Sequence, residues 1–335
     1  MLSVKQNLRE TIRLGHPDRF VNQYEYLELV LDPIHTHCGG FCTPGGSFTN
    51  DWGVTIFWPL GQPGPFPLLD DGHKLIKDIT GWRGILEKKL PDPTKFPDSE
   101  WEAVYRQLEN VDRKEKFVAP FSVNGLFEKL HYFCGMEDAM VAMYEEPEAV
   151  HDMLDFLVDW YLEVAKEEKR RYQPDALFQH DDWGTQDRMM ISPEMFREFI
   201  KPAFSKIYHF WKEENGAEIV IHHSDSYAAD VVPDMIDMGV DIWQGAVSEN
   251  NLPLLCEKYG GKITFHGGLD NGKLDKADWK KEEITAALTD LLEKTHGGKG
   301  LIPGMTMGGP GSTFPGVYEF ASEEIQRLSK VYFKE

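Results

Sequence analysis

From about residue 170 onward, short apolar runs alternate with stretches whose apolar residues recur at helical spacing. Ala176–Gln179 is one such run and ends in His180-Asp-Asp-Trp-Gly184. Ser192-Pro193-Glu194 then predicts a helix start, with serine as N-cap and proline at the first helical position. Met195, Phe196, Phe199, Ile200 and Phe204 continue that helix. The alternation repeats three more times. Strand Glu218–Ile221 precedes a helix over Tyr227–Met238, strand Val240–Trp243 one over Leu252–Tyr259, and strand Ile263–Phe265 one over Lys280–Thr295. Gly300–Pro303 reads as a last strand before a C-terminal helix.

Strand, loop and helix in regular succession are the mark of parallel βα units. The strand ends are rich in His, Asp, Trp and Gln while the helices are ordinary. That fits a TIM (β/α)8 barrel, where functional groups gather at the C-terminal ends of the strands. No Gly-x-Gly-x-x-Gly follows a strand, which disfavours a dinucleotide fold. In the first half, Phe20–Tyr26 and Phe117–Ser122 read as further barrel strands. Residues 33–100 between them are rich in Gly and Pro, with aromatic clusters at Asp51-Trp-Gly and Phe57-Trp-Pro. This stretch reads as an irregular insertion covering one end of a single domain spanning 1–335.

Charge narrows the partners. Fifty-six acidic residues against 35 basic ones give a net charge of −21, which argues against nucleic acid or anionic membrane and suits a partner with a basic docking face. Four cysteines (Cys38, Cys42, Cys134, Cys256) are too few for a disulfide scaffold and are expected to be reduced. No apolar run approaches the roughly 20 residues of a membrane helix, and the N-terminus has no signal-peptide core. A cytoplasmic location is the expectation.

The most informative chemistry lies in His222-His-Ser-Asp225, just where a β-branched run hands over to a loop. Imidazole is a common zinc ligand and titrates near neutral pH, so these histidines could be ligands, proton carriers or packing. Being consecutive, they face opposite ways on a strand, and only one points into a barrel mouth. Asp181 and Asp182 pose the same choice; Asp182 is taken as the inward carboxylate, able to bind metal with His222 or to act as an acid or orienting base. His266, Gln244, Trp183 and His223 are substrate-contact candidates at strand ends, each with packing as the alternative. Glu25 and Asn124 stand near the ends of the first two predicted strands and join that set. His35-Thr-His37-Cys38-Gly-Gly-Phe-Cys42 superficially resembles a metal cluster but matches no common zinc spacing.

Several segments together resemble the uroporphyrinogen decarboxylase superfamily. They are Arg9-Glu-Thr-Ile-Arg-Leu-Gly-His-Pro-Asp-Arg19, Asp51-Trp-Gly-Val54, Phe178-Gln-His-Asp-Asp-Trp-Gly-Thr-Gln186 with Ile191-Ser-Pro-Glu-Met-Phe196, and the strand end His222-His-Ser-Asp225. The resemblance implies a TIM barrel with its site at the C-terminal mouth. The decarboxylases proper carry an Arg-rich loop near the N-terminus and a Gly-His-Gly loop after the last strand. This chain has no such loop after Tyr26, and Met307-Gly-Gly-Pro310 in place of the second.

The other branch holds corrinoid-dependent methyltransferases, whose thiol-methylating members bind zinc through His-x-Cys and a later Cys. The resemblance sets His222 in the histidine slot, with Ser224 and Met305 where the cysteines stand. Neither replaces a thiolate well on zinc. The implied function is methyl transfer from a small methylated donor, a methoxylated aromatic compound first among them, to the cobalt of a partner corrinoid protein. Zinc at His222 and Asp182 would assist, and these two are the expected catalytic residues. A decarboxylase and a non-catalytic barrel that binds a corrinoid or a regulatory partner are the alternatives.

Overall fold

Short β-branched and aromatic runs that are apolar on both faces favour a parallel sheet enclosed by helices. The computed structural model describes residues 1–40, 42–62, 64–70, 72–307 and 312–333. In chain order its strands are β1 (Leu27–Val30), β2 (Ser47–Thr49), β3 (Thr55–Phe57), β4 (Phe66–Pro67), β5 (Phe117–Ser122), β6 (Ala176–His180), β7 (Ile219–His223), β8 (Ile242–Ala246), β9 (Thr264–Leu269) and β10 (Leu301–Met305). Seven of them pair in the order β1-β5-β6-β7-β8-β9-β10, every pair parallel. The curled sheet with its surrounding helices is a TIM barrel.

The helices up to the centre of the chain are α1 (Val4–Ile12), α2 (Pro33–Cys38), α3 (Trp82–Leu86), α4 (Asp98–Leu108), α5 (Leu126–Cys134), α6 (Met136–Glu145) and α7 (Pro147–Tyr172). They are followed by α8 (Pro193–Met195), α9 (Lys201–Glu213), α10 (Val232–Met238), α11 (Leu252–Tyr259), α12 (Asn271–Leu274), α13 (Lys281–Lys294) and α14 (Val317–Tyr332). The start of α8 follows from its sequence: Ser192 Oγ accepts from Met195 N at 3.2 Å, and Pro193 takes the first helical position.

Alternation along the strands divides the core in two. Phe117, Ala119, Phe178, Ile219, Ile221 and Ile242 are among the side chains filling the barrel interior. Val118, Leu177, Val220, Trp243 and Phe265 point the other way, into the layer between sheet and helices.

Two predicted elements change. The first strand is Leu27–Val30 rather than Phe20–Tyr26. In the earlier segment polar side chains compete for the backbone: Glu25 Oε1 accepts from Asn22 N at 3.0 Å, and Gln23 adopts a left-handed φ of 50°. This segment still helps to close the wall. Gln23 Oε1 accepts from Met305 N at 3.2 Å, and Val21 and Tyr26 join the interior core. Helix α10 starts at Val232 instead of Tyr227, because Asn250 Oδ1 captures the N–H groups of Ala228 and Ala229 at 2.9 and 3.0 Å.

Within residues 33–100, β2, β3 and β4 form a small antiparallel sheet. Trp52 anchors this segment, buried against Phe133 and Trp160. Gly61 and Gln62, just after β3, reach the cavity at the barrel mouth. Among the described residues no helix is long and apolar enough to cross a membrane. All four cysteines are free thiols.

Candidate functional site

Lateral pairing sets four polar side chains in one row across β6 to β9: His180 beside His223, His223 beside Gln244, and Gln244 beside His266. By the two-residue period of a strand they share the inner face with Phe178, Ile221 and Ile242. A cavity of about 830 Å³ opens above them, with Tyr24, Phe121, Phe178, His180, His223 and Asp225 in its wall.

His180, Asp182 and His223 offer three ligand atoms that lie within 4.8 Å of one another. Each ring is held by its other nitrogen. His180 Nδ1 donates to Glu128 Oε2 at 3.0 Å, leaving Nε2 facing Asp182 Oδ2 at 4.0 Å. His223 Nδ1 donates to Gln244 Oε1, and Gln244 is fixed in turn by donating to Thr306 O at 3.2 Å. The two rings stack with centroids 4.5 Å apart. Asp182 is oriented by Asp225 N, which donates to its Oδ1 at 3.1 Å.

The electrostatics suit a cation. Burial disfavours the His180 imidazolium, but Glu128, Asp182 and Asp225 outweigh it and push the ring up to about 10. Burial and then repulsion by His180 bring His223 down to about 4, so that ring is neutral with a free lone pair. Asp225 is pushed up to about 6 by burial and by Asp182. Two imidazoles and a carboxylate, each imidazole backed by an acceptor, match what zinc binds and how proteins orient its ligands. The donor set therefore fits a zinc ion, with Asp225 alongside.

Glu128 arrives from a separate element. Asp181 caps the start of α5, accepting from Phe127 N at 3.0 Å and Glu128 N at 2.9 Å, and so fixes the helix that presents Glu128. The approach needs Gly125, where an added Cβ would lie 2.3 Å from Asp181 Cβ.

The model of the uroporphyrinogen decarboxylase (URO-D) family matches residues 102–327. The chain belongs to this family. The fold is similar over 98% of this chain and 99% of the other to a methyltransferase from Methanosarcina mazei, with a TM-score of 0.66 at 12% identity. No curated protein matches the sequence significantly.

Within this family barrel the sequence candidates separate. Asp182, His223, Gln244 and His266 gather at or beneath the cavity; His222 does not. It is fully buried behind the sheet, with Nδ1 accepting from Tyr208 Oη at 2.7 Å and Nε2 donating to Asp181 O at 3.1 Å. Both nitrogens are spent, so His222 is not placed to join Asp182 on a metal as expected; the group at the mouth that could hold an ion is His180, Asp182 and His223. Read one residue later, His223-x-Asp225 keeps the two-residue spacing of a His-x-Cys strand end on the inner face, with a carboxylate for the thiolate. Trp183 is likewise buried, donating to Asp181 Oδ2 at 2.9 Å and stacking on His222 at 3.9 Å, and it contributes no wall to the cavity.

His266 lies deeper in the barrel, its Nδ1 3.3 Å from Tyr26 Oη and its ring 4.7 Å from that of Tyr24. Glu25 turns back onto Asn22, away from the cavity wall. Asn124 is buried with its carbonyl bound by Tyr161 Oη, and it packs beneath Gly40 of the insertion. Met307 lines the cavity, whereas Gly308–Pro310 of the Met307-Gly-Gly-Pro310 loop lie outside the described residues.

His180 and Glu128 are the residues that sequence reasoning missed. The signal for His180 was its place at the end of an apolar run, in line with His223 once the strands pair. Of the His/Cys stretch after β1, His37 reaches Glu100 at 2.8 Å and His35 reaches Glu168 at 2.9 Å. His35, Glu168 and Asp32 form a second buried group that could hold an ion.

Proposed function

We propose that the chain transfers a methyl group from a small methylated donor, first among them a methoxylated aromatic compound, to the cobalt of a corrinoid carried by a partner protein. The observation behind this reading is the His180–Asp182–His223 cluster facing an aromatic-walled cavity at the barrel mouth. The likeness of fold to a methyltransferase agrees with it. A cobalt nucleophile on the partner makes a serine or cysteine nucleophile in this chain unnecessary, and the cavity wall has no cysteine among its described residues.

Bound at the cluster, zinc supplies a Lewis acid for the ether oxygen, whose phenolate is otherwise a poor leaving group. The chain's own residues do the rest. Glu128 and Gln244 hold the two rings with Nε2 toward the ligand position. Phe121, Phe178 and Tyr24 offer apolar faces that pack an arene and exclude water. The methyl carbon–oxygen bond breaks, the methyl group passes to cobalt, and the aryl oxygen keeps the electron pair.

The decarboxylase alternative asks for a cleft that binds a polycarboxylate, for which arginine and lysine are the fitting partners. None lines this cavity among the described residues.

The test supplies zinc-loaded protein with free cobalt(I) corrinoid and a panel of methoxyarenes. Methylcorrinoid formation with at least one donor is expected. Carbon dioxide release from a carboxylic acid without corrinoid, and no methyl transfer, would overturn the reading.

A further inference from the structure

The charge of the cavity wall narrows the donor. Among the described lining residues there is no lysine or arginine, while Asp225 and Asp275 both contribute. Behind the wall, Asp182 and Glu128 flank His180. The remaining surface is largely aromatic and aliphatic, with Tyr24, Leu29, Phe121 and Phe178 facing inward.

Glu128 and Asp182 already face the positive charge at His180, whether its proton or a zinc ion in its place. A carboxylate moved from water into the cavity therefore loses its hydration and meets Asp225 and Asp275 with no lysine or arginine in the described wall to pair it, which is costly. A phenolic hydroxyl or an ammonium substituent instead finds carboxylate acceptors. Resting on the methyl-transfer reading above, we propose that the donor is a methoxyarene without an anionic group, taken in preference to methoxybenzoates.

The experiment is calorimetric binding of 2-methoxyphenol and of 4-hydroxy-3-methoxybenzoate to the zinc-loaded chain at pH 7, followed by transfer assays with cobalt(I) corrinoid. The phenol is expected to bind at least about tenfold more tightly, a difference of about 1.4 kcal/mol. Leu29→Arg, which adds one cation to the wall, is expected to narrow that ratio at least several-fold. If this variant does not fold, the wild-type ratio decides alone. Equal or tighter binding of the benzoate by the wild type, or no binding of either compound, overturns the proposal. The expected preference without methyl transfer would instead leave the selectivity standing and remove the demethylation reading. Transfer from the benzoate as readily as from the phenol would do the reverse.

Discussion

His222 and His223 are neighbours on β7 and face opposite ways: His223 joins His180 and Asp182 at the barrel mouth, while His222 is tied to Tyr208 and Asp181 behind the sheet. One histidine keeps a free lone pair toward the cavity. The other has spent both nitrogens on the layer between strand and helix α9, where Trp183 covers its ring.

Tyr208 should therefore matter to stability and little to chemistry. Tyr208→Phe removes the donor to His222 Nδ1 and leaves a buried acceptor unpaired, which costs about 1–3 kcal/mol. Denaturant unfolding is expected to report that loss while zinc content stays at the wild-type level. Loss of zinc at unchanged stability would contradict the assignment of His222.

Glu128 should act on metal through His180. Glu128→Gln keeps the shape but removes the charge that holds the His180 ring. Outer-shell changes of this kind typically lower metal affinity by about 10–100-fold. Competition with a chelator measures it. Unchanged affinity would show that His180 is not a ligand.

Metal uptake should release a proton. Since His180 is held up to about 10, it is protonated at neutral pH and must give up its Nε2 proton to bind zinc. Calorimetry of zinc binding at pH 7, in buffers of differing ionisation enthalpy, is expected to show about one proton released per ion. Zero would contradict the geometry.

The second buried group predicts a pH dependence of stability. Burial pushes Asp32 up to about 7 and Glu168 up to about 8, well above their ordinary carboxylate values. Between an unfolded value near 4 and these folded values, the native state holds protons that the unfolded chain has released. Stability is then fully present at acid pH and falls as pH rises through about 7 and 8. Glu168→Gln cannot ionise and is expected to flatten the fall in melting temperature between pH 5 and 8, read against the wild type by calorimetry. An unchanged slope would show that this cluster does not titrate in the folded protein.

The periodic strands and helices of the second half were legible because each apolar run has turn or cap residues at its ends, as Ser192-Pro193 shows for α8. The first strand was not, since Phe20–Tyr26 is apolar enough to be one while Asn22, Gln23 and Glu25 bind backbone instead. At the site, the strand end was legible, but not which of its two histidines faces the barrel mouth. A parallel strand is buried on both faces, so Val220 and Ile221 are equally apolar neighbours and give no parity. Lateral register supplies it, by setting His223 between His180 and Gln244. Glu128 was beyond reach because it is brought in by a helix capped from β6's far end through Asp181.

Zinc content of purified wild type, His222→Ala and His223→Ala, measured after dialysis against a weak chelator, tests the site most directly. The wild type is expected to keep about one ion per chain, folded His222→Ala to keep it as well, and His223→Ala to lose it. Zinc retained by His223→Ala but lost by folded His222→Ala would contradict the placement of the metal at His180, Asp182 and His223.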